Sequence, residues 1–378
     1  MTDRVDYLSS LFSGARQYEN FARQAEIFPV ATMRPAPQPF EFPDGAPMAL
    51  PGTYVFQGET RDSEAFLAKT DTMALLVLKD SAVRFERYAL GGTRQTPWVS
   101  MSVAKSFVSA ALGIAVGEGA IRSVEEPVTD YLPELKGSAY DGVRIKDILQ
   151  MSSGAGWNED YSDENSDINR FITIFATGGS FNTFAATLKP ARAPGSYNLY
   201  NSTDTQVLGM LLKQATGQSI RDYLEARIWH PLGMESPGHW LIDSEGMEMA
   251  FGGLNATARD YAKIGELFRN HGAWQGKQIV PAAWVRDSVT PDGPHLQPGD
   301  TSQSDSMLGY GYQWWVMDGD EGEYAAIGVY NQFVYVNPAR GVTIVKLSAN
   351  PDYGLTNDET SYREFETIEL LRAIARAA

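Results

Sequence analysis

Apolar positions first settle into a pattern at Met73–Leu78, a near-continuous run. A polar Lys79-Asp80-Ser81 break follows, and then an alternating stretch, Val83–Tyr88. An apolar run closed by turn residues and answered by a period of two predicts a β-hairpin. At Ser102–Val116 the character changes. Ala104, Phe107, Val108, Ala110, Ala111, Leu112, Ile114 and Ala115 cover most faces, which predicts a buried helix. From there to about residue 245 the signals are mostly helical, with Ile145–Met151 and Thr205–Ala215 (stopped at Gly217) as examples. Strand patterns return in the aromatic Tyr310–Met317, the alternating Asn331–Val336 and the β-branched Gly341–Leu347. The chain closes with Phe365, Ile368, Leu371 and Ile374 three residues apart, the stripe of an amphipathic helix.

Strands first, helices in the middle, then strands and a last helix imply an α/β (α+β) fold. Its expected form is an antiparallel β-sheet flanked by helices, with an inserted mostly helical domain. Residues 71–101 plus 250–378 are expected to form the α/β domain and residues 102–249 the helical one. Residues 1–70 read as an irregular N-terminal arm, punctuated by Pro35, Pro37, Pro39, Pro43, Pro47 and Pro51. Such an arm covers the body or reaches a neighbour, and the second case would make a homodimer.

Composition narrows the function classes. With 378 residues, 43% of them hydrophobic, the chain can bury a large core, and a formal net charge of −16 argues against nucleic acid or an anionic membrane surface as partner. The plain reading of that acidity is solubility. The absence of cysteine excludes disulfides, thiolate metal sites and a cysteine nucleophile. Met1–Asp6 is polar, no apolar leader core follows before Pro29, and no window approaches a membrane span, so a cytoplasmic location is expected. His230, His239, His271 and His295 show no zinc-binding spacing. Neither a Gly-x-Ser-x-Gly elbow nor a phosphate-cradling loop occurs. Neither a metal nor a cofactor is expected.

The leading chemical candidate is Ser102-Val103-Ala104-Lys105. If the helix starts at Ser102, the two side chains share one face, and the unpaired N–H groups of the first turn favour an anion beside the hydroxyl. Lys105 runs straight into buried-helix residues. Desolvation there favours its neutral form and makes it a proton acceptor. In a purely structural role the same residues would be a serine cap and a lysine reaching out to solvent.

The wider context carries a resemblance. Trp98-Val-Ser-Met-Ser-Val-Ala-Lys-Ser-Phe107, between a hairpin and a small-residue helix, resembles the nucleophile segment of serine β-lactamases, DD-peptidases and related esterases. Tyr131-Leu-Pro133, Ile145–Gly154, Gly252-Gly253 with Thr257–Asp260, and Tyr312-Gln-Trp-Trp315 keep that family's order. Within these penicillin-recognising hydrolases, Val128–Gly142, Asn158–Tyr161, Gln313–Trp315 and Ile344–Ser348 are most similar to the 6-aminohexanoate-dimer hydrolases and related carboxylesterases.

The resemblance implies site residues. The family's Tyr-x-Asn tyrosine corresponds to Tyr200, in Tyr200-Asn201-Ser202, where serine replaces the usual asparagine. As a base at neutral pH this phenol would need the Lys105 ammonium nearby. The family's Lys-Thr-Gly strand corresponds to Ala326-Ile327-Gly328-Val329, which keeps the glycine and loses the cation that holds a β-lactam carboxylate. The N–H groups of Ser102 and Val329 are expected to form the oxyanion hole, and Tyr161, Trp315 and Gly328 to touch substrate. The acidic neighbours of Tyr161 (Glu159, Asp160, Asp163, Glu164 and Asp167) read as a solvated loop with capping side chains. The expected function is a serine hydrolase acting on a small-molecule ester or amide through an acyl-enzyme on Ser102. A β-lactamase or D-amino-acid peptidase, and a non-catalytic binding protein of the same fold, are the alternatives.

Overall fold

A computed structural model of the chain describes residues 10–14 and 16–378. The polar start Met1–Asp6 and the rest of residues 1–9 of the arm lie outside the described residues.

Seven antiparallel strands form the main sheet, in the order Gly309–Tyr310, Trp315–Val316, Tyr324–Gly328, Gln332–Asn337, Val342–Ser348, Thr72–Lys79, Ala82–Tyr88. Alternation within each central strand feeds two cores. Ala74, Leu76, Leu78, Val334 and Val336 pack into one; Leu75, Val77, Phe333 and Tyr335 pack into the other. Ile264 and Leu267 of the helix Ala258–Arg269 belong to the first core, and Ile368 and Leu371 of the C-terminal helix Glu364–Ala377 to the second. Helices thus cover both faces, which explains why the hairpin's first strand reads as a continuous apolar run. Each fully buried branched or aromatic side chain contributes about 1.5–3 kcal/mol.

Several elements depart from their sequence pattern. Tyr310–Met317 is two two-residue strands around a loop, because its aromatic rings fill space between layers instead of lining one pleat. In the last helix Phe365 stays 37% exposed while Leu370 is fully buried. A strict spacing of three drifts off a face that turns every 3.6 residues. The arm is also more ordered than its prolines suggest. Short helices at Tyr18–Phe21 and Gln24–Ile27 lead into a strand at Val30–Met33, and a hairpin (Thr53–Phe56 with Glu59–Asp62) precedes the helix Ser63–Lys69. Among the described residues, the proline-bearing stretch 34–52 is the long irregular part.

Val30–Met33 opens a second sheet, ordered Val30–Met33, Gly238–Leu241, Leu254–Ala256, Trp98–Val99. Its strands of two to four residues are too short to show a period, so the sequence pattern is silent about it. Gln17 Nε2 donates to the carbonyls of Ala349 (2.9 Å) and Asn350 (3.1 Å), and the Phe21 ring lies against Trp98 and Tyr330. These contacts hold the start of the described chain beside the cleft. Among the described residues, no helix is long and apolar enough to cross a membrane.

Candidate active site

The second sheet delivers Ser102. Trp98 and Val99 pair with Ala256 and Asn255, Ser100 N donates to Leu254 O at 2.8 Å, and the Tyr261 hydroxyl donates to Trp98 O at 2.7 Å. The chain then makes one 3₁₀ turn, Met101–Val103, before the α-helix Ala104–Gly117. Ser102 therefore stands in the turn ahead of the α-helix, one step earlier than its sequence pattern suggests. Met101 has φ +47°, a left-handed conformation that costs a residue with a side chain about 1–3 kcal/mol. The neighbouring hydrogen bonds hold it there.

Lys105 is buried one turn on, and its Nζ has three partners: Ser102 Oγ at 2.8 Å, Phe251 O at 2.8 Å and Ser202 Oγ at 3.1 Å. Burial lowers its pKa to about 7 against the opposing pull of the Glu159 charge. This is the desolvated amine that the apolar helix predicts. Ser102 acts on the Tyr200 phenol, and the Lys105 nitrogen lies 5.1 Å from the centre of its ring. Its electrostatics run against the sequence expectation. Burial first and then the Glu159 charge hold the phenol well above 10, with only Ser102 pulling it down. At neutral pH Tyr200 is a proton donor, and the group poised to accept is Lys105.

Glu159 is the residue that sequence reasoning missed. Its neighbours behave as expected: Asp160 and Asp163 accept backbone N–H groups of turns, and Asp167 opens the helix Asp167–Thr177 behind its Ser166 cap. Glu159 instead turns inward. Its carboxylate accepts the Ser202 hydroxyl (2.6 Å), the Ser202 N–H (3.0 Å), the Tyr161 hydroxyl (2.9 Å) and the Trp157 indole N–H. Trp157, Glu159 and Tyr161 are spaced two apart, and the side chains of the outer two both meet the Glu159 carboxylate. That spacing was the available signal, together with a serine where the family pattern has asparagine.

The oxyanion candidates converge on the same turn. Gly328 ends its strand so close to this turn that an added Cβ would lie 2.5 Å from Ser100 O and 3.0 Å from Ser102 N. Glycine alone allows that approach. Val329 follows and lines a cleft of about 660 Å³, together with Ser102, Ser202 and Tyr161. Phe28, Ile168, Ile172, Leu241, Met249 and Phe251 make much of the wall; among the described residues that line it, Glu164 is the one charged side chain and none is a lysine or arginine. Trp315 is placed elsewhere. It stacks on Tyr200 with centroids 5.0 Å apart and stands outside the residues that line the cleft. Among the described residues no group of three or more His, Asp or Glu side chains is arranged to hold a metal ion.

Residues 62–367 match the family model described as Beta-lactamase. The chain is 31% identical over 343 residues to the 6-aminohexanoate-dimer hydrolase of Paenarthrobacter ureafaciens, covering 88% of this chain and 85% of that protein. It is 22% identical over 204 residues to a Beta-lactamase of Pseudomonas fluorescens, covering 52% and 51%. Among solved structures, one from Bacillus anthracis named after 6-aminohexanoate-dimer hydrolase superposes with a TM-score of 0.83 at 23% identity, covering 96% and 95% of the two chains. EstCE1, a hydrolase with promiscuous acyltransferase activity, gives 0.64 at 15% identity over 83% and 96%.

Proposed function

Because the chain belongs to the beta-lactamase family, we propose that Ser102 is the nucleophile of an enzyme acting on neutral esters and amides with apolar substituents. The chain is a serine hydrolase that works through an acyl-enzyme. The observation that carries the residue assignment is the 2.8 Å contact between Ser102 Oγ and a buried lysine whose pKa falls to about 7.

In this mechanism Ser102 Oγ attacks the carbonyl carbon and its proton passes to Lys105 Nζ. The N–H groups of Ser102 and Val329 hold the oxyanion. Tyr200, protonated at rest, donates to the departing oxygen or nitrogen and regains a proton from the Lys105 ammonium, whose nitrogen lies 5.1 Å from the centre of its ring; Ser102 Oγ, by then bonded to the acyl carbon, carries none. Alcohol or amine leaves, water attacks the acyl group, and the serine is restored. Lys105 works only when neutral. The value of kcat/KM should therefore rise tenfold per pH unit up to about 7 and level off above it. A profile flat from pH 5 to 9 with a chromogenic ester would remove Lys105 from the base role.

The cleft wall supports the substrate class. A β-lactam carboxylate, or the free carboxylate of an aminohexanoate dimer, would meet Glu164 and no lysine or arginine among the described residues of the wall. A charge-assisted hydrogen bond left unmade costs about 1.5–3 kcal/mol, roughly ten- to more than a hundredfold in kcat/KM. Short-chain p-nitrophenyl esters are expected to outrun nitrocefin and D-alanyl peptides by at least that margin; parity with nitrocefin would overturn the reading. Amide cleavage of the aminohexanoate kind is the second reading, supported by the P. ureafaciens relative. Tyr161 also supports it. Its proton is committed to Glu159, so its lone pairs face the cleft free to accept an N–H from a leaving amine.

A further inference from the structure

We propose that Glu159 is a positioning residue which, acting through Ser202, aims the Lys105 lone pair at Ser102 and so fixes the direction of proton transfer. The proposal rests on the reading of Ser102 as nucleophile and Lys105 as base.

The argument is a count of protons. A neutral lysine amine has two N–H bonds and one lone pair. Phe251 O has no proton to give and can only take an N–H, at 2.8 Å. A serine hydroxyl could face the amine either way, because it has one proton and two lone pairs. Here its choice is made by the carboxylate. Ser202 Oγ donates to Glu159 Oε1 at 2.6 Å, so toward Lys105, 3.1 Å away, it presents a lone pair and takes the second N–H. Only the amine's lone pair is left, and the remaining neighbour is Ser102 Oγ at 2.8 Å. Glu159 cannot turn away. The Trp157 indole, the Tyr161 hydroxyl and the Ser202 N–H all donate to it, and an ionised carboxylate only accepts. Without that acceptor the Ser202 proton could swing onto the Lys105 lone pair and compete with Ser102 for it.

Glu159 also contributes charge. Its carboxylate is the one group that raises the Lys105 pKa against burial. The other titratable groups around the pair act on the tyrosines. Asp305 and Glu364 raise Tyr200; Tyr200 and Tyr330 raise Tyr161; Asp204 raises Tyr310, which stands edge-on to Tyr200.

The test uses the full chain and a chromogenic ester, with Glu159→Ala, Ser202→Ala, the double variant and Glu159→Gln. Each alanine variant is expected to lower kcat by about ten- to a hundredfold, a part of what general base catalysis supplies, with KM within about twofold of wild type. Since both residues act in one line, the double variant should be no slower than the slower single. Both Glu159 variants should move the acid limb of the pH profile to lower pH, while Ser202→Ala, which keeps the carboxylate, should leave it in place. Multiplied losses in the double variant, or an unmoved limb in Glu159→Gln, would overturn the proposal. Fluorophosphonate labelling separates the two layers. An unlabelled wild-type Ser102 refutes the nucleophile reading itself, whereas a labelled wild type with variants at wild-type kcat refutes only the role of Glu159. Glu159→Gln keeps the side-chain shape, so its limb decides the matter even if an alanine variant folds poorly.

Discussion

Ser102→Ala is expected to lose about 10⁴-fold or more in turnover and all covalent labelling by a fluorophosphonate. The size follows from what the hydroxyl does. Without Oγ there is no acyl-enzyme, and the lysine lone pair and the tyrosine hydroxyl are left with an oriented space and no atom to move. What survives is binding and whatever the two N–H groups offer a carbonyl, which does not make a nucleophile. Stability should barely change. The alanine forfeits a hydrogen bond worth about 0.5–1.5 kcal/mol, while the apolar helix behind it is untouched. Mass spectrometry after incubation with a slow ester should show an adduct on the wild type and none on the variant. Equal turnover in the two would end the assignment.

Gly328→Ala should have the second largest effect. The new methyl would meet Ser100 O at 2.5 Å and Met101 Cβ at 3.1 Å. The backbone at Ser100 has little room to retreat, being paired to Leu254. The strand end must move instead, carrying Val329 N–H away from the oxyanion position. Removal of one oxyanion donor costs about 10²–10³ in kcat, and the strain of overpacking adds about 1–3 kcal/mol of lost stability. KM should change little, since the donor matters most once charge develops on the oxygen. Gly52→Ala is the control, because nothing lies within 4 Å of an added Cβ there. A Gly328→Ala enzyme with wild-type kcat would move the second donor away from Val329.

Much of this site was legible in the chain because its logic is local. The Ser102–Lys105 spacing and the apolar residues beside Lys105 are enough to foresee a desolvated amine next to a hydroxyl, and the geometry agrees. Tyr200 could be picked out by resemblance. Its charge state could not, since burial and the Glu159 carboxylate act across distant segments to keep the phenol protonated. Glu159 was hidden among acidic neighbours whose loop roles are ordinary, and only the fold shows which one faces inward. Trp315, expected against substrate, is spent instead on packing the Tyr200 ring. The second sheet was silent for want of length, although it is what sets Ser102 in place.

The tether from Gln17 to Ala349 joins residues 332 positions apart, and it secures the segment whose Phe12 and Phe28 border the cleft. At about 5–20 residues per second, a ribosome needs on the order of 20–60 s to make the distance between them. Through that interval the early aromatic residues have no dock. The nascent protein would carry them as sticky, chaperone-attracting surface until residue 349 has emerged, and the pocket's outer wall would close only then.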